Sequence, residues 1–240
     1  MILWPQGYSK IQHRELDSTN AEARRLAEAG EPGPLWIVAE RQTAGRGRRG
    51  KVWESGAGNL AATLLLRPEA PVAIIGQLSF AAALAVAETA SHFAPQAAIT
   101  VKWPNDVLAE GRKLSGILLE SGPNWLAIGI GINLASFPEG TEFPATSLAQ
   151  LGIAAPSPDD ALCVLAARLA HWYGVWMNEG FERLRAAWLA RAGGLGGPIR
   201  ARLASHETRT GVFEGIDAAG ALLLNEQGRV RTIAAGEVFF

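Results

Sequence analysis

The string Gly45-Arg46-Gly47-Arg48-Arg49-Gly50 has the Gly-x-Gly-x-x-Gly spacing of a dinucleotide-binding turn, yet its surroundings exclude that fold. Such a turn must run from a strand directly into a helix, whose N-terminus then meets a pyrophosphate. Here an apolar run at residues 35–40 leads into a long loop, residues 41–59, and the next apolar run, residues 60–66, again reads as a strand. No Gly-Lys-Ser/Thr follows at the spacing of a P-loop, so that phosphate cradle is excluded too. Strands and helices do not alternate strictly along the chain, which favours α+β over a doubly wound parallel sheet.

The remaining elements follow from caps, breakers and period. Asp17-Ser18-Thr19-Asn20 precedes a helical pattern to residue 29, with Thr19 and Glu22 at capping-box spacing and Gly30 and Pro32 closing it. Pro71 opens one long Ala-rich helix that ends before Pro95. Residues 99–103 read as a strand, and residues 107–108 and 114–120 flank a turn at Glu110-Gly111-Arg112. Residues 125–134 form another strand, in which Gly129 and Gly131 argue for close backbone approach by a ligand. Helices are expected at residues 158–177 and 180–192. Gly193-Gly194-Leu195-Gly196-Gly197-Pro198 is a linker by composition. Four short apolar stretches beyond it suit a small β-barrel. The expected division is therefore a catalytic domain over residues 1–192 and a barrel over residues 198–240.

Formal net charge is −1, so any basic feature is local, and four of the seven residues from Gly45 to Lys51 are basic. Gathering like charges on a glycine-rich loop costs free energy unless an anion sits among them. Backbone N–H groups and planar guanidinium forks are the donors that phosphate and carboxylate take. The single cysteine, Cys163, has no partner for an internal disulfide and reads as a small core residue. Residues 1–10 lack the apolar core of a secretory signal. The most apolar stretch, residues 73–87, is interrupted by Gln77 and Ser79 and falls short of the ~20 residues that span a bilayer. These features point to a soluble, reducing, cytoplasmic setting with no membrane partner.

Three further segments carry chemistry. Trp53, beside the arginines, is placed to stack on a base or to pack in the core. Lys102-Trp103-Pro104-Asn105-Asp106 and Lys113-Leu114-Ser115-Gly116 set two lysines at strand ends separated by one hairpin, so both can reach one site. Asn133, ending an apolar strand, needs partners if buried, and its amide matches the edge of adenine.

In this order the motifs resemble the biotin protein ligase family: Leu16-Asp17-Ser18-Thr19-Asn20, Gln42-Thr43-Ala44 leading into the loop, Trp53, the lysine segments and Gly129-Ile130-Gly131-Ile132-Asn133. Near the C-terminus, Gly215-Ile216-Asp217, Gly220 and Gly236-Glu237 resemble that family's terminal domain. The resemblance implies a mixed-sheet catalytic domain related to class II aminoacyl-tRNA synthetases with an SH3-like barrel. It implies biotin and ATP as substrates, Mg²⁺ at the ATP, a biotinyl-5′-AMP intermediate, and a biotin carboxyl carrier protein as acceptor. By position, Ser18, Thr19, Asn20, Gln42, Gly45, Arg46, Gly47 and Gly116 match its biotin-binding groups. Arg48 and Lys113 match the catalytic residues at carboxylate and α-phosphate, while Arg49, Trp53, Lys102, Asn105 and Asn133 match ATP contacts. Metal ligands are not identified by the resemblance, and Asp106 is the candidate. Lys51-Val52 stands where the family pattern carries Arg-Lys, so one cation is kept and one lost. Fifteen residues precede Leu16, too few for the DNA-binding domain of the family's repressors, so the monofunctional type is expected, with no DNA partner. A homodimer is left open. The competing readings are a lipoate or octanoate ligase and a non-enzymatic nucleotide-binding protein.

Overall fold

The computed structural model describes residues 2–54, 56–203, 205 and 207–240. Seven strands form a mixed sheet: β1 (Ser9–Leu16), β2 (Leu35–Gln42), β3 (Leu60–Leu66), β4 (Ile99–Lys102), β5 (Asp106–Ala109), β6 (Arg112–Gly122) and β7 (Trp125–Ile132). They pair in the order β1-β2-β3-β7-β6-β5-β4, and only β1 and β2 run parallel. Helix α1 (Thr19–Glu28) makes that crossover. It lays Ala23 and Ala27 on Leu35, Ile37, Leu65 and Ala127.

On the other face, Trp36, Val38, Leu64, Ile128 and Ile130 pack beneath α3 (Leu78–Phe93), α4 (Pro158–Glu179) and α5 (Phe181–Leu189). Consecutive strand residues thus serve opposite layers, as the period of two requires. Alanines on α3 are fully buried, which lets α4 approach closely. Ser157 caps α4, accepting the Asp160 N–H at 3.1 Å with Pro158 in the first turn.

Beyond them, β8 (Pro198–Leu203), β9 (Thr208–Ile216), β10 (Leu222–Glu226), β11 (Arg229–Ile233) and β12 (Gly236–Phe239) form an antiparallel sheet in the order β11-β10-β9-β8-β12. The glycine-rich stretch before β8 is anchored: Gly193 N–H donates to Val101 O and Gly196 N–H to Phe213 O. Phe80, Phe181, Trp188 and Phe213 then meet edge to face at 5.3, 5.4 and 6.5 Å, so one apolar core runs through the joint.

Several expectations change. The helix expected from Pro71 is split into α2 (Val72–Ile75) and α3, because three-residue hydrogen bonds at Gln77, Ser79 and Phe80 tighten the join. The run Ala73–Phe93 is, by length and composition alone, enough to cross a bilayer, and it is mostly buried against the sheet and α4. Thr19 does not form the capping box. Its hydroxyl turns to Gln42, the Glu22 carboxylate accepts from Arg25 Nε, and Ser18 caps α1 through its backbone carbonyl alone. Cys163 is half-buried against Ile2 rather than in the core.

Candidate active site

The face of the sheet towards α1 opens into a cavity of about 410 Å³ because its central residues are small. Register aligns Ala61, Gly131 and Gly116 in one row, and Thr63, Gly129 and Leu118 in the next. The GxG spacing of β7 therefore clears both rows. Each clearing is taken by one of the protein's own side chains. A Cβ on Gly131 would lie 2.2 Å from the Trp53 indole, and one on Gly116 3.0 Å from it; a Cβ on Gly129 would lie 2.2 Å from Asn20 Oδ1. The glycines admit Trp53 and Asn20, where the sequence suggested close backbone approach by a ligand.

Above the Gly129 row the wall is polar and uncharged. Gln42 Oε1 accepts from the Thr19 N–H at 2.8 Å and from the Thr19 hydroxyl at 3.1 Å. Thr63 Oγ1, fully buried, lies 2.8 Å from Thr19 Oγ1 and 2.7 Å from Asn20 Oδ1. A hydroxyl has one proton, so it satisfies one of these acceptors at a time. Asn20 Nδ2 donates to Glu120 Oε2 at 2.7 Å and to Leu118 O at 3.3 Å. Glu120 in turn faces Arg46 at 3.7 Å, across a solvent-exposed gap.

The opposite end is charged. The β4–β5 hairpin ends in the register pair Lys102–Asp106, and β6 brings up Lys113. Asp106 Oδ1 lies 2.7 Å from Lys113 Nζ, a close ion pair rather than an aligned hydrogen bond, and Oδ2 is 3.5 Å from Lys102 Nζ. Lys102 is 5% exposed, with its ammonium 4.0 Å from the Phe143 ring centroid and 5.7 Å from that of Phe239. Burial, then the neighbouring Lys113, pulls its pKa below the usual lysine value against the opposing pull of Asp106. Arg48 donates to Asn105 Oδ1 at 3.3 Å; burial first and Arg49 second weaken its hold on its proton. Asn105 Nδ2 in turn donates to Ile117 O.

The glycine-arginine loop folds back on itself. Gly47 N–H donates to Lys51 O, Trp53 N–H to Gly45 O, and Arg49 adopts φ +56°. Lys51 reaches Glu237 Oε1 at 2.8 Å and Glu142 Oε2 at 3.6 Å, and Arg202 bridges the same two carboxylates. Burial would raise the Glu237 pKa, but Lys51 and Arg202 outweigh it and hold the carboxyl at about 2. The C-terminal strand β12 thus supplies one wall of the cavity, with Glu237 and Phe239. Asn133 lies at the far side, 2% exposed, its Nδ2 donating to Thr146 O while Oδ1 is buried without a partner.

Of the residues singled out from sequence, all but Gly45 line this one cavity. Gly45 is buried behind it, where a Cβ would meet Trp53 O at 2.3 Å. Sequence reasoning missed Thr63, a lone polar residue in an otherwise apolar strand, which is itself a usable signal. It also missed Glu142 and Phe143, for which the loop offers none. Among the described residues no group of three or more His, Cys, Asp or Glu could hold a metal ion. Both Asp106 oxygens face lysines, so Asp106 does not fit a metal ligand's role.

Comparison with known proteins identifies the family. Residues 13–135 match the Biotin/lipoate A/B protein ligase family and residues 194–240 the Biotin protein ligase C terminal domain. A biotin–acetyl-CoA-carboxylase ligase of Paracoccus denitrificans is 45% identical, over 93% of this chain and 97% of its own. That of Mycobacterium tuberculosis is 36% identical, over 92% and 85%. The biotin protein ligase of Aquifex aeolicus in complex with biotin and ATP superposes with a TM-score of 0.84 at 28% identity, covering 96% of this chain and 97% of that one. The chain is a member of the biotin protein ligase family.

Proposed function

We propose that the protein is an ATP-dependent ligase that makes biotinyl-5′-AMP from biotin and ATP and passes the biotinyl group to a lysine of a biotin carboxyl carrier protein. The observation that carries this reading is a single cavity with an uncharged hydrogen-bonding end, a buried cationic end, and Trp53 over the glycines between them. The first step brings a carboxylate against a triphosphate. That encounter is anion against anion, and it proceeds when fixed cations hold both.

In this reading Ser18, Thr19, Asn20 and Gln42 receive the polar ring of biotin, with Gly47 beside them, Gly116 admitting the Trp53 ring where biotin meets the base, and Gly45 setting the loop's course. Arg46 closes from the loop. Arg48 and Lys113 flank the biotin carboxylate and the α-phosphate, stabilising the charge that builds as the carboxylate oxygen attacks phosphorus and pyrophosphate leaves. Lys102 takes the phosphates together with Arg49, and Asn105 holds Arg48. In the second step the amine of the carrier lysine attacks the acyl carbon, AMP departs, and the same cations neutralise it. Trp53 stacks on the base. Asn133 Oδ1, a pure acceptor, matches the exocyclic amine of adenine, which is the support for its place there.

Mg²⁺, which the resemblance implies, would accompany ATP and help neutralise its triphosphate, and no step here is assigned to it. Residues 1–192 act as the catalytic domain and 198–240 as a C-terminal unit that completes the phosphate wall through Glu237 and Phe239. A cytoplasmic setting belongs to the same proposal, supported by the burial of the apolar helix. A homodimer, if one forms, is measurable by sedimentation.

The test is exchange of labelled pyrophosphate into ATP. Exchange that requires biotin, and that lipoate and octanoate do not support, is the expected result. Exchange driven by lipoate or octanoate instead would reassign the acid. No exchange with any acid would overturn the ligase reading.

A further inference from the structure

Asn59 is 7% exposed and belongs to no ligand motif, yet it makes one of the densest side-chain contacts in the molecule. Its Oδ1 accepts three successive backbone N–H groups, from Leu134 at 3.0 Å, Ala135 at 2.9 Å and Ser136 at 3.1 Å. Its Nδ2 donates to Ser136 O at 2.9 Å. Three consecutive N–H groups aimed at one point form the concavity that usually takes an anion. Here a carboxamide oxygen fills it from within the protein.

The position explains why. Asn59 immediately precedes β3, whose first residue, Leu60, pairs with Ile132 at the end of β7. The clip therefore carries the β3–β7 pairing beyond the last ladder pair, across Asn133. Gly56 and Gly58 press on the same segment: a Cβ at Gly56 would lie 2.4 Å from Ser136 Oγ, and one at Gly58 3.0 Å from Ala135 Cβ. Trp53 starts the stretch that ends in Asn59, and Asn133 starts the stretch that Asn59 holds. One side chain thus joins the two residues that the proposed function assigns to the base, both of which line the cavity.

We propose that Asn59 is a positioning residue for the nucleotide base, setting the Asn133 carboxamide and the Trp53 ring so that adenine is chosen over guanine. This rests on the adenylate-forming reading above. Asn133 Oδ1 accepts from an exocyclic amine and repels a carbonyl oxygen at the same place, and that distinction holds only while the amide cannot turn over. Its Nδ2 has one anchor, Thr146 O, and its backbone is tied to Leu114 and Leu148. Releasing residues 134–136 lets the amide present either atom.

The experiment measures KM for ATP, GTP and biotin in biotin-dependent pyrophosphate exchange, for the full chain and its variants. Asn59→Ala is expected to raise the KM for ATP about tenfold, cut the ATP-over-GTP preference by a similar factor, and leave the KM for biotin within about twofold. Asn59→Asp keeps an acceptor for the three N–H groups and is expected to recover most of the preference. Asn59→Ser, scored the same way, replaces alanine if that variant does not fold. Unchanged preference in the alanine or serine variant, or ATP and biotin constants rising together with preference intact, would reduce Asn59 to a structural clip and overturn the proposal. If the unsubstituted protein shows no exchange, the ligase reading falls by itself, and equilibrium binding of ATP against GTP still decides the role of Asn59.

Discussion

The two ends of the cavity hold polar groups in opposite ways. Over the Thr63–Gly129–Leu118 row the groups are neutral and short, and the network of Thr19, Asn20, Gln42 and Thr63 costs little to bury because its members bond to one another and, through Asn20, to Leu118 O and Glu120. At the Lys102–Asp106–Lys113 end two ammonium groups share one carboxylate, and Lys102 sits between aromatic rings almost out of water. Burying a charge that is only partly compensated destabilises the folded chain. The neutral end can be prepared in the empty protein, whereas the charged end is complete only when an anion arrives. That asymmetry places the strain of the site where bond-making charge develops.

The largest expected effect tests the charged end. Lys113→Ala should lower the rate of adenylate formation by ~10²–10³, the loss seen when one preorganised donor to a developing charge is removed. Biotin-dependent pyrophosphate exchange measures it, and a near-normal rate would remove Lys113 from the catalytic role. Lys102→Met should separate stability from activity. The rate is expected to fall about 10²-fold. The midpoint of thermal unfolding should instead rise by about 2–4 °C, because a thioether suits the pocket of Phe143 and Phe239 better than a cation. A fall in Tm would show that the Asp106 pairing more than offsets the burial of Lys102.

A smaller effect compares the two rows directly. Gly131→Ala drives a methyl group into the Trp53 ring, and Gly129→Ala into the Asn20 amide. The first should raise the KM for ATP about tenfold with little change for biotin, and the second should do the reverse. Titrating each substrate at saturating levels of the other reads both. Equal effects on both substrates from either variant would mean that the rows do not divide the cavity.

How far these features were legible in the sequence depended on whether they are local. The strand–loop–strand context of the arginine string, β3 and the turn at Glu110-Gly111 were readable because glycine, arginine and apolar period act within a few residues. Strand β1 was missed because its residues, Ser9 to Leu16, lie at a sheet edge, mostly exposed, and show no buried alternation. β12 was missed because four residues carry too little pattern. The side chains singled out for the site come together in one cavity, Gly45 alone lying behind it, since they fall in compact motifs. What escaped were partners set by long-range register: Thr63 opposite Gly129, and Glu237 beside Lys51, 186 positions away along the chain. The rows explain the GxG spacing of β7, which sequence alone left open to a ligand.

Two carboxylates, Glu142 and Glu237, face the charged end from outside. Glu237 is held at about 2, against an ordinary value of 4.5, by Lys51 and Arg202 overcoming its burial. A carboxyl whose folded pKa is depressed contributes stability above its ordinary value and loses that contribution as pH falls towards the folded one. The window is therefore between about 4.5 and about 2. Glu237→Gln should lower the Tm by about 2–4 °C near neutrality, a modest effect because Lys51 is more than half exposed and water screens the pair. The gap between the variant and the unsubstituted protein should narrow as pH falls through that window. Added salt at neutral pH should narrow it as well, since the clasp is open to solvent on the Lys51 side. A gap independent of both pH and salt would assign the stabilising role of Glu237 to packing against β8, and the Arg202–Glu142 pair would then be left as the charge link between the C-terminal sheet and the cavity.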